Sequence, residues 1–108
     1  MIQQIDPREL VEKLARNEPV YLLDVREPWE HERAALPKSQ LIPLKELPYR
    51  AAEIKVAEGT LIVAYCHHGI RSLSAAAFLG QSGYSNVASL RGGIDAWSIE
   101  IDPRVPRY

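Results

Sequence analysis

The 108-residue sequence predicts an α/β fold, with a central parallel sheet of about five short strands and helices on both faces. Segments typical of strands alternate with segments typical of helices, which favours right-handed crossovers between parallel strands. The strand candidates are short apolar runs, as expected for strands buried on both faces. The length allows one domain, which we expect to span residues 1–108.

The first helix and the first clear strand carry strong end signals. Asp6 can cap a helix and Pro7 suits its first turn, while apolar residues continue at helical spacing to Ala15. Residues 20–25 (VYLLDV) predict a buried strand. Pro28 then predicts the start of a short second helix.

The later segments repeat this alternation. The clearest unit is an apolar strand, a polar loop with one glycine and an Ala-rich helix that ends at a glycine. The tail holds two prolines, and we expect it to lie extended over the surface. In order, we predict a weak strand at 40–42, a helix at 47–56, a strand at 59–65, a loop at 66–72, a helix at 73–81, a strand at 87–90, a short helix at 94–97 and the tail at 102–108.

Composition excludes several function classes. Thirteen basic and fourteen acidic side chains give a net charge of −1, so no basic excess indicates nucleic acid as a partner. The longest apolar stretch, residues 60–66, is too short to span a bilayer, and the first residues lack the zones of a signal peptide. We therefore expect a soluble cytoplasmic protein without nucleic-acid or membrane partners.

Cys66 is the one cysteine, and its surroundings are typical of a nucleophile. It follows a buried strand, and ligands of parallel sheets bind outside the carboxyl ends of the strands. A helix expected to begin near Ser72 would direct its N-terminal N–H groups into the loop, so the thiol should be ionised at neutral pH. Gly69 allows the loop amides to converge on one atom. Arg71 either holds an oxyanion or fastens the loop.

The loop residues also have less specific interpretations. A single cysteine after an apolar strand is commonly a small buried side chain, but a core cysteine needs neither Gly69 nor Arg71. Adjacent histidines such as His67 and His68 rarely converge on one ion, so we expect them to line the loop, donate N–H groups and add mild positive charge. We predict no metal and no cofactor.

Four ordered segments resemble a single-domain rhodanese, a sulfurtransferase. They are residues 24–28 (DVREP), the pairs 36–37 (LP) and 42–43 (IP), residues 65–72 (YCHHGIRS) and residues 90–97 (LRGGIDAW). The resemblance implies that Cys66 accepts a sulfane sulfur from thiosulfate or a related persulfide donor. The resulting persulfide then passes the sulfur to cyanide or a thiol, and a protein can serve as donor or acceptor.

The resemblance also implies roles for individual residues. Gly92 and Gly93 would pack beside the loop, and Asp24 and Arg26 are expected to pair with each other and fix loops rather than touch substrate. The substrate-binding residues would be His67, His68, Gly69, Ile70, Arg71 and Ser72. The sequence departs from the pattern at residues 34–39 (AALPKS), where many relatives have Gly-His-Ile-Pro-Gly-Ala.

Two other functions compete with sulfur transfer. Cysteine-dependent phosphatases also surround an anion with a thiolate and an arginine, but their loops have five residues between the two, and only four separate Cys66 from Arg71. The second alternative is a rhodanese-like module that binds a partner without catalysis. Retention of Cys66, Gly69 and Arg71 argues against such a module.

Overall fold

The structure, a computed structural model, describes residues 2–108 and confirms the predicted α/β class. The strands are β1 (Gln4–Ile5), β2 (Val20–Asp24), β3 (Gln40–Leu41), β4 (Leu61–Tyr65) and β5 (Val87–Leu90). The helices are α1 (Pro7–Ala15), α2 (Pro28–Arg33), α3 (Leu47–Arg50), α4 (Ile70–Gln81) and α5 (Gly93–Glu100). Within residues 2–108, no helix is long and apolar enough to cross a membrane.

All five strands are parallel, in the order β1-β5-β4-β2-β3. The central strand β4 is buried along its whole length, which explains its continuous apolar sequence. Asp24 at the end of β2 lies opposite Tyr65 at the end of β4, and Ser89 of β5 lies opposite Ala64. The loops that follow these three strands therefore leave the sheet at one edge.

Successive side chains of β4 point to opposite faces of the sheet, and the core has one cluster on each face. Leu61, Val63 and Tyr65 belong to a cluster that includes residues of α1 and α5. Ile62 and Ala64 point the other way and belong to a cluster with residues of α3 and α4. Helices therefore cover both faces, as the sequence predicted.

Three elements differ from the sequence-based expectation. The two-residue strand β1 was not predicted, because its only partner is β5 and so short a run carries no periodicity of its own. The predicted helix at 47–56 is a single α-helical turn between two 3₁₀ turns, at 44–46 and 51–53, and Ile54 leaves it in an extended conformation to enter the core. Helix α4 begins at Ile70, three residues before the predicted start.

The tail does not lie extended over the surface, so that prediction is wrong. It turns between residues 101 and 105, with a hydrogen bond from Val105 N–H to the Asp102 carbonyl, and buries the Val105 side chain. Tyr108 then reaches the loop that contains Cys66. Proline content indicated an irregular backbone but gave no information about which side chains pack.

Lys38 takes a left-handed backbone conformation, with φ 64°, at one of the positions where many members of the resembled family have glycine. Such a conformation costs a residue with a side chain about 1 kcal/mol. We expect Lys38→Gly to raise the free energy of unfolding by up to about 1 kcal/mol in urea denaturation, after the entropy that glycine adds to the unfolded chain is counted. Asn17→Gly is the control: Asn17 has φ 56°, but asparagine tolerates this region, so the gain should be smaller. A less stable Lys38→Gly variant would contradict the prediction.

Candidate active site

The Cys66 side chain lies directly after β4 and is only 1% exposed. It points to the face covered by α4 and packs within that apolar cluster. Cys66 does not face solvent at the end of the strand, because the strand alternation directs residue 66 inward. The polar contacts of the sulfur distinguish it from an ordinary core cysteine: Gly69 N–H and Ser72 N–H lie 3.2 and 3.4 Å from Sγ.

The reversal of the chain at Gly69 creates this pair of donors. Gly69 has φ 99°, which side chains disfavour, and its position leaves no free space for a Cβ atom, which would lie 3.1 Å from the Gly92 nitrogen. The reversal starts α4 at once, so that the unpaired N–H of Ser72 in its first turn faces Sγ. The N–H groups of Gly69 and Ser72 therefore favour negative charge on the sulfur.

Helix α5 holds the loop from its other side. Ile94 N–H donates to the Cys66 carbonyl at 2.9 Å, and Asp95 N–H donates to the His67 carbonyl at 3.1 Å. The backbones can approach this closely because Gly93 has no side chain, and a Cβ atom there would overlap both carbonyl oxygens. Gly92 and Gly93 therefore pack beside the loop.

A buried pair of hydroxyls extends the contacts of the sulfur. Ser72 Oγ lies 3.5 Å from Cys66 Sγ and 2.7 Å from Ser89 Oγ, and both serines are fully buried. When the thiol is deprotonated, Ser89 can donate to Ser72 while Ser72 donates to the sulfur. Ser89 was missed, although a polar residue in the otherwise apolar strand VASL was a signal that could have found it.

We expect Ser89→Ala to slow alkylation of Cys66 by iodoacetamide at neutral pH by roughly threefold, because the Ser72 hydroxyl loses the donor that polarises it. Ser98→Ala is the matched control: Ser98 is also buried, but its hydroxyl donates to the Ile94 carbonyl, away from the sulfur. Equal alkylation rates in the two variants would show that Ser89 has no influence on the sulfur.

Arg71 fastens the loop to helix α2. Its two terminal nitrogens donate to the two carboxylate oxygens of Glu30, at 2.7 and 2.9 Å. Glu30 is 4% exposed, and the bonds from Arg71 lower its pKa to about 2, so it is ionised at neutral pH. Of the two roles considered for Arg71, this geometry corresponds to the structural one. The preceding Ile70 is 73% exposed.

Tyr108 connects the tail to the same helix and to the loop. Its hydroxyl donates to Glu30 Oε2 and accepts a bond from Arg26, both at 2.7 Å. The ring stacks on His67 with 3.9 Å between centroids, and Trp29 meets it edge-on. Burial is the first cause that raises the pKa of Tyr108, to about 12, so the hydroxyl keeps its proton. No motif in the sequence pointed to Tyr108 or Glu30 as neighbours of the loop.

Asp24 and Arg26 form a fully buried ion pair behind the loop. Arg26 Nε and Nη2 donate to the two oxygens of Asp24 at 2.8 and 2.7 Å, and Nη2 also donates to the Ala34 carbonyl. His31 Nδ1 lies 2.8 Å from Asp24 Oδ2. These contacts agree with the expectation that the pair fixes loops, and the carboxylate makes its bonds within the protein.

His67, His68 and Asp95 are the described residues that bring three potential metal ligands within 4.8 Å of one another. The two imidazoles are stacked at 3.9 Å, and the Asp95 carboxylate already accepts bonds from Arg107. Burial first, and then the charge of His68, lowers the pKa of His67. A lowered pKa disfavours the mild positive charge expected on this ring.

Comparison with known proteins places this site in a family. The sequence profile described as Rhodanese-like domain matches residues 6–100. The chain is a member of the rhodanese-like domain family. A protein named Sulfurtransferase from Allochromatium vinosum is 40% identical over 98 residues, which cover 91% of this chain and 90% of the relative.

Solved structures agree with this assignment. A rhodanese-related protein from Thermoplasma volcanium has a TM-score of 0.81 at 31% identity and covers 92% of this rhodanese and 93% of its own chain. An NAD-dependent persulfide reductase from A. fulgidus has a TM-score of 0.68 at 33% identity over 89% of this chain, but only 16% of its own. The protein is thus a rhodanese-type transferase, and its relatives support sulfur transfer between a donor and an acceptor.

Proposed function

We propose that this rhodanese moves a sulfane sulfur from thiosulfate or a related persulfide donor, through a persulfide on Cys66, to a thiophilic acceptor. The acceptor is cyanide or a thiol, carried by a small molecule or by a protein. The observation that carries the proposal is the pair of amides, Gly69 and Ser72, directed at Cys66 Sγ. A sulfur atom with no chemical role has no need of two backbone donors.

In the proposed reaction the Cys66 thiolate attacks the outer sulfur of the donor. With thiosulfate, the new Sγ–S bond forms as the S–S bond of thiosulfate breaks, and sulfite leaves with the bonding electron pair. The negative charge moves to the outer sulfur of the persulfide, within the same group of N–H donors. The acceptor then attacks this outer sulfur, and the Cys66 thiolate is regenerated.

The loop supplies the rest of the proposed site. The backbone of Gly69 and Ser72 stabilises charge on sulfur, and Arg71 holds the loop against α2. Asp24, Arg26, Gly92 and Gly93 support the loop from behind. We assign substrate contact to the loop residues His67, His68, Gly69, Ile70 and Ser72, and we assign to Arg71, expected to bind substrate, the structural role that its bonds to Glu30 support.

The direct test is intact-protein mass spectrometry after exposure to thiosulfate and to a small-molecule persulfide. We expect a gain of one sulfur atom, located on the peptide that contains Cys66 and removed by cyanide. If the thiol is reactive toward iodoacetamide but gains no sulfur from either donor, the proposal fails.

A non-catalytic binding module is the second candidate, and the burial of Cys66 favours it, because a 1% exposed thiol meets substrates only when the loop opens. The same mass measurement separates the two functions. A phosphatase is disfavoured by the short loop and by the bonds that occupy Arg71, and we expect no hydrolysis of a chromogenic phosphate ester.

We propose the cytoplasm as the location and residues 1–108 as the single domain that carries the activity. A single nucleophilic cysteine must stay reduced, which the cytoplasm favours.

A further inference from the structure

The arginines that the structure places around the Cys66 loop are already paired with carboxylates. Arg71 lies on the loop itself, and Arg26 contacts Tyr108. Arg107 contacts Asp95, which follows Ile94. Their positive charges are therefore balanced before any substrate binds. The pairs are Arg71 with Glu30, Arg26 with Asp24, and Arg107 with Asp95.

The pair at Arg71 is the one that matters for an incoming donor, because Arg71 is near enough to Cys66 to sense its charge. The pKa of Arg71 is raised first by its bonds to Glu30 and, to a smaller extent, by the Cys66 thiolate. With both terminal nitrogens bonded to the Glu30 carboxylate, the charge of Arg71 is already balanced and attracts an incoming anion less strongly.

Glu30 is fixed in place by bonds other than those from Arg71. Its Oε1 accepts the Glu27 N–H at 3.0 Å, and its Oε2 accepts the Tyr108 hydroxyl. Release of Arg71 toward a substrate would leave a buried carboxylate without its counter-charge, which is strongly unfavourable. Arg71 therefore stays with Glu30 when a donor arrives.

The His67 ring on the same loop does not supply a positive charge in place of the balanced charge of Arg71. His67 lies between the rings of Tyr108 and His68, and its Nε2 is buried without a hydrogen-bond partner. Burial lowers the pKa of His67, which disfavours a positive charge on the ring. The groups that face the sulfur are the amides of Gly69 and Ser72 and the Ser72 hydroxyl, none of which carries a charge.

The two donor classes differ in the charge that they bring to this site. Thiosulfate is a dianion, so its reaction with the Cys66 thiolate collects three negative charges in one place. A persulfide reacts as Cys66–S⁻ + R–S–SH → Cys66–S–S⁻ + R–SH, with one negative charge throughout. The Sγ–S bond forms, the S–S bond of the donor persulfide breaks, and the sulfur attached to R keeps the electron pair and takes the proton.

Building on the sulfur transfer proposed above, we propose that the Cys66 site takes its sulfur from persulfides in preference to thiosulfate, and that Glu30 sets this preference by occupying Arg71. Glu30 is thus a specificity-determining residue that acts through Arg71. The thiosulfate dianion finds backbone donors and arginines whose charges are already balanced by carboxylates.

The test compares Glu30→Gln with the wild-type protein. Glutamine keeps the shape of the side chain but removes its charge, which leaves the Arg71 charge uncompensated beside the loop. Rate constants for loading of Cys66 are measured by quenched intact-mass spectrometry, with thiosulfate and with the persulfide of 2-mercaptoethanol. We expect the thiosulfate-to-persulfide ratio of these constants to rise about tenfold, through tighter thiosulfate binding.

Glu32→Gln is the matched control, because it removes one negative charge from an exposed position of the same helix. We expect its ratio to equal that of the wild type. A Glu30→Gln ratio equal to that of Glu32→Gln would overturn the inference. If Glu30→Gln does not fold, as judged by circular dichroism, the wild type decides alone: faster loading from thiosulfate than from the persulfide rejects the preference, and slower loading supports it.

This design keeps the two proposals separate. Absence of loading from both donors would contradict sulfur transfer through Cys66. Loading that occurs but does not depend on Glu30 would leave sulfur transfer intact and reject only the donor preference.

Discussion

Replacing Cys66 with serine is expected to lower sulfur transfer by about a thousandfold or more, because a serine hydroxyl is not ionised at neutral pH and forms no persulfide. The assay is release of thiocyanate from a sulfur donor and cyanide, together with the intact mass. This is the largest effect on activity that the structure predicts.

The same variant should fold normally. A serine Oγ can accept the N–H groups of Gly69 and Ser72 that now face the sulfur, so no donor is left unpaired. We expect the free energy of unfolding to change by about 1 kcal/mol or less. Sulfur transfer at the native rate by a folded Cys66→Ser protein would rule out the cysteine as the carrier.

Gly93→Ala is expected to cause the largest loss of stability, about 3 kcal/mol or more in chemical denaturation. Gly93 has φ 65°, and a Cβ atom would overlap the carbonyl oxygens of Cys66 and His67. Both obstacles are backbone atoms that bond to α5, so they cannot move aside without loss of the hydrogen bonds from Ile94 and Asp95. Loading of Cys66 should fall in parallel, because the loop is displaced.

Gly80→Ala is the control for this variant. Gly80 lies in α4 with no atom within 4 Å of a Cβ position and no left-handed backbone, so alanine should stabilise the helix by roughly 0.5–1 kcal/mol. If both variants shift the free energy of unfolding in the same direction, close packing is not the reason that position 93 needs a glycine.

The sequence was sufficient for the parts of the molecule that depend on local signals. Continuous apolar runs identified β2 and β4, and the capping residues with proline located the start of α1. The placement of Cys66 at the carboxyl end of β4, with an amide-lined loop before α4, followed from the strand-loop-helix pattern. Local chemistry determines these features, so a single sequence reveals them.

The parts that could not be predicted depend on contacts between distant segments. Tyr108 reaches Glu30 from 78 residues away, and Arg71 reaches it from 41 residues away. Whether Arg71 faces a substrate or a carboxylate depends on which acid the fold brings near, and no spacing rule contains that information. The burial of Cys66 could not be predicted, because a position at the end of a strand does not show to which face of the sheet the side chain points.

The burial of Cys66 affects how long a persulfide on this residue would last. A sulfur held on Cys66 would be screened from peroxide and from cellular thiols by the surrounding protein, since Cys66 is only 1% exposed. Premature discharge and over-oxidation would then be slow compared with delivery to a recipient that opens the loop.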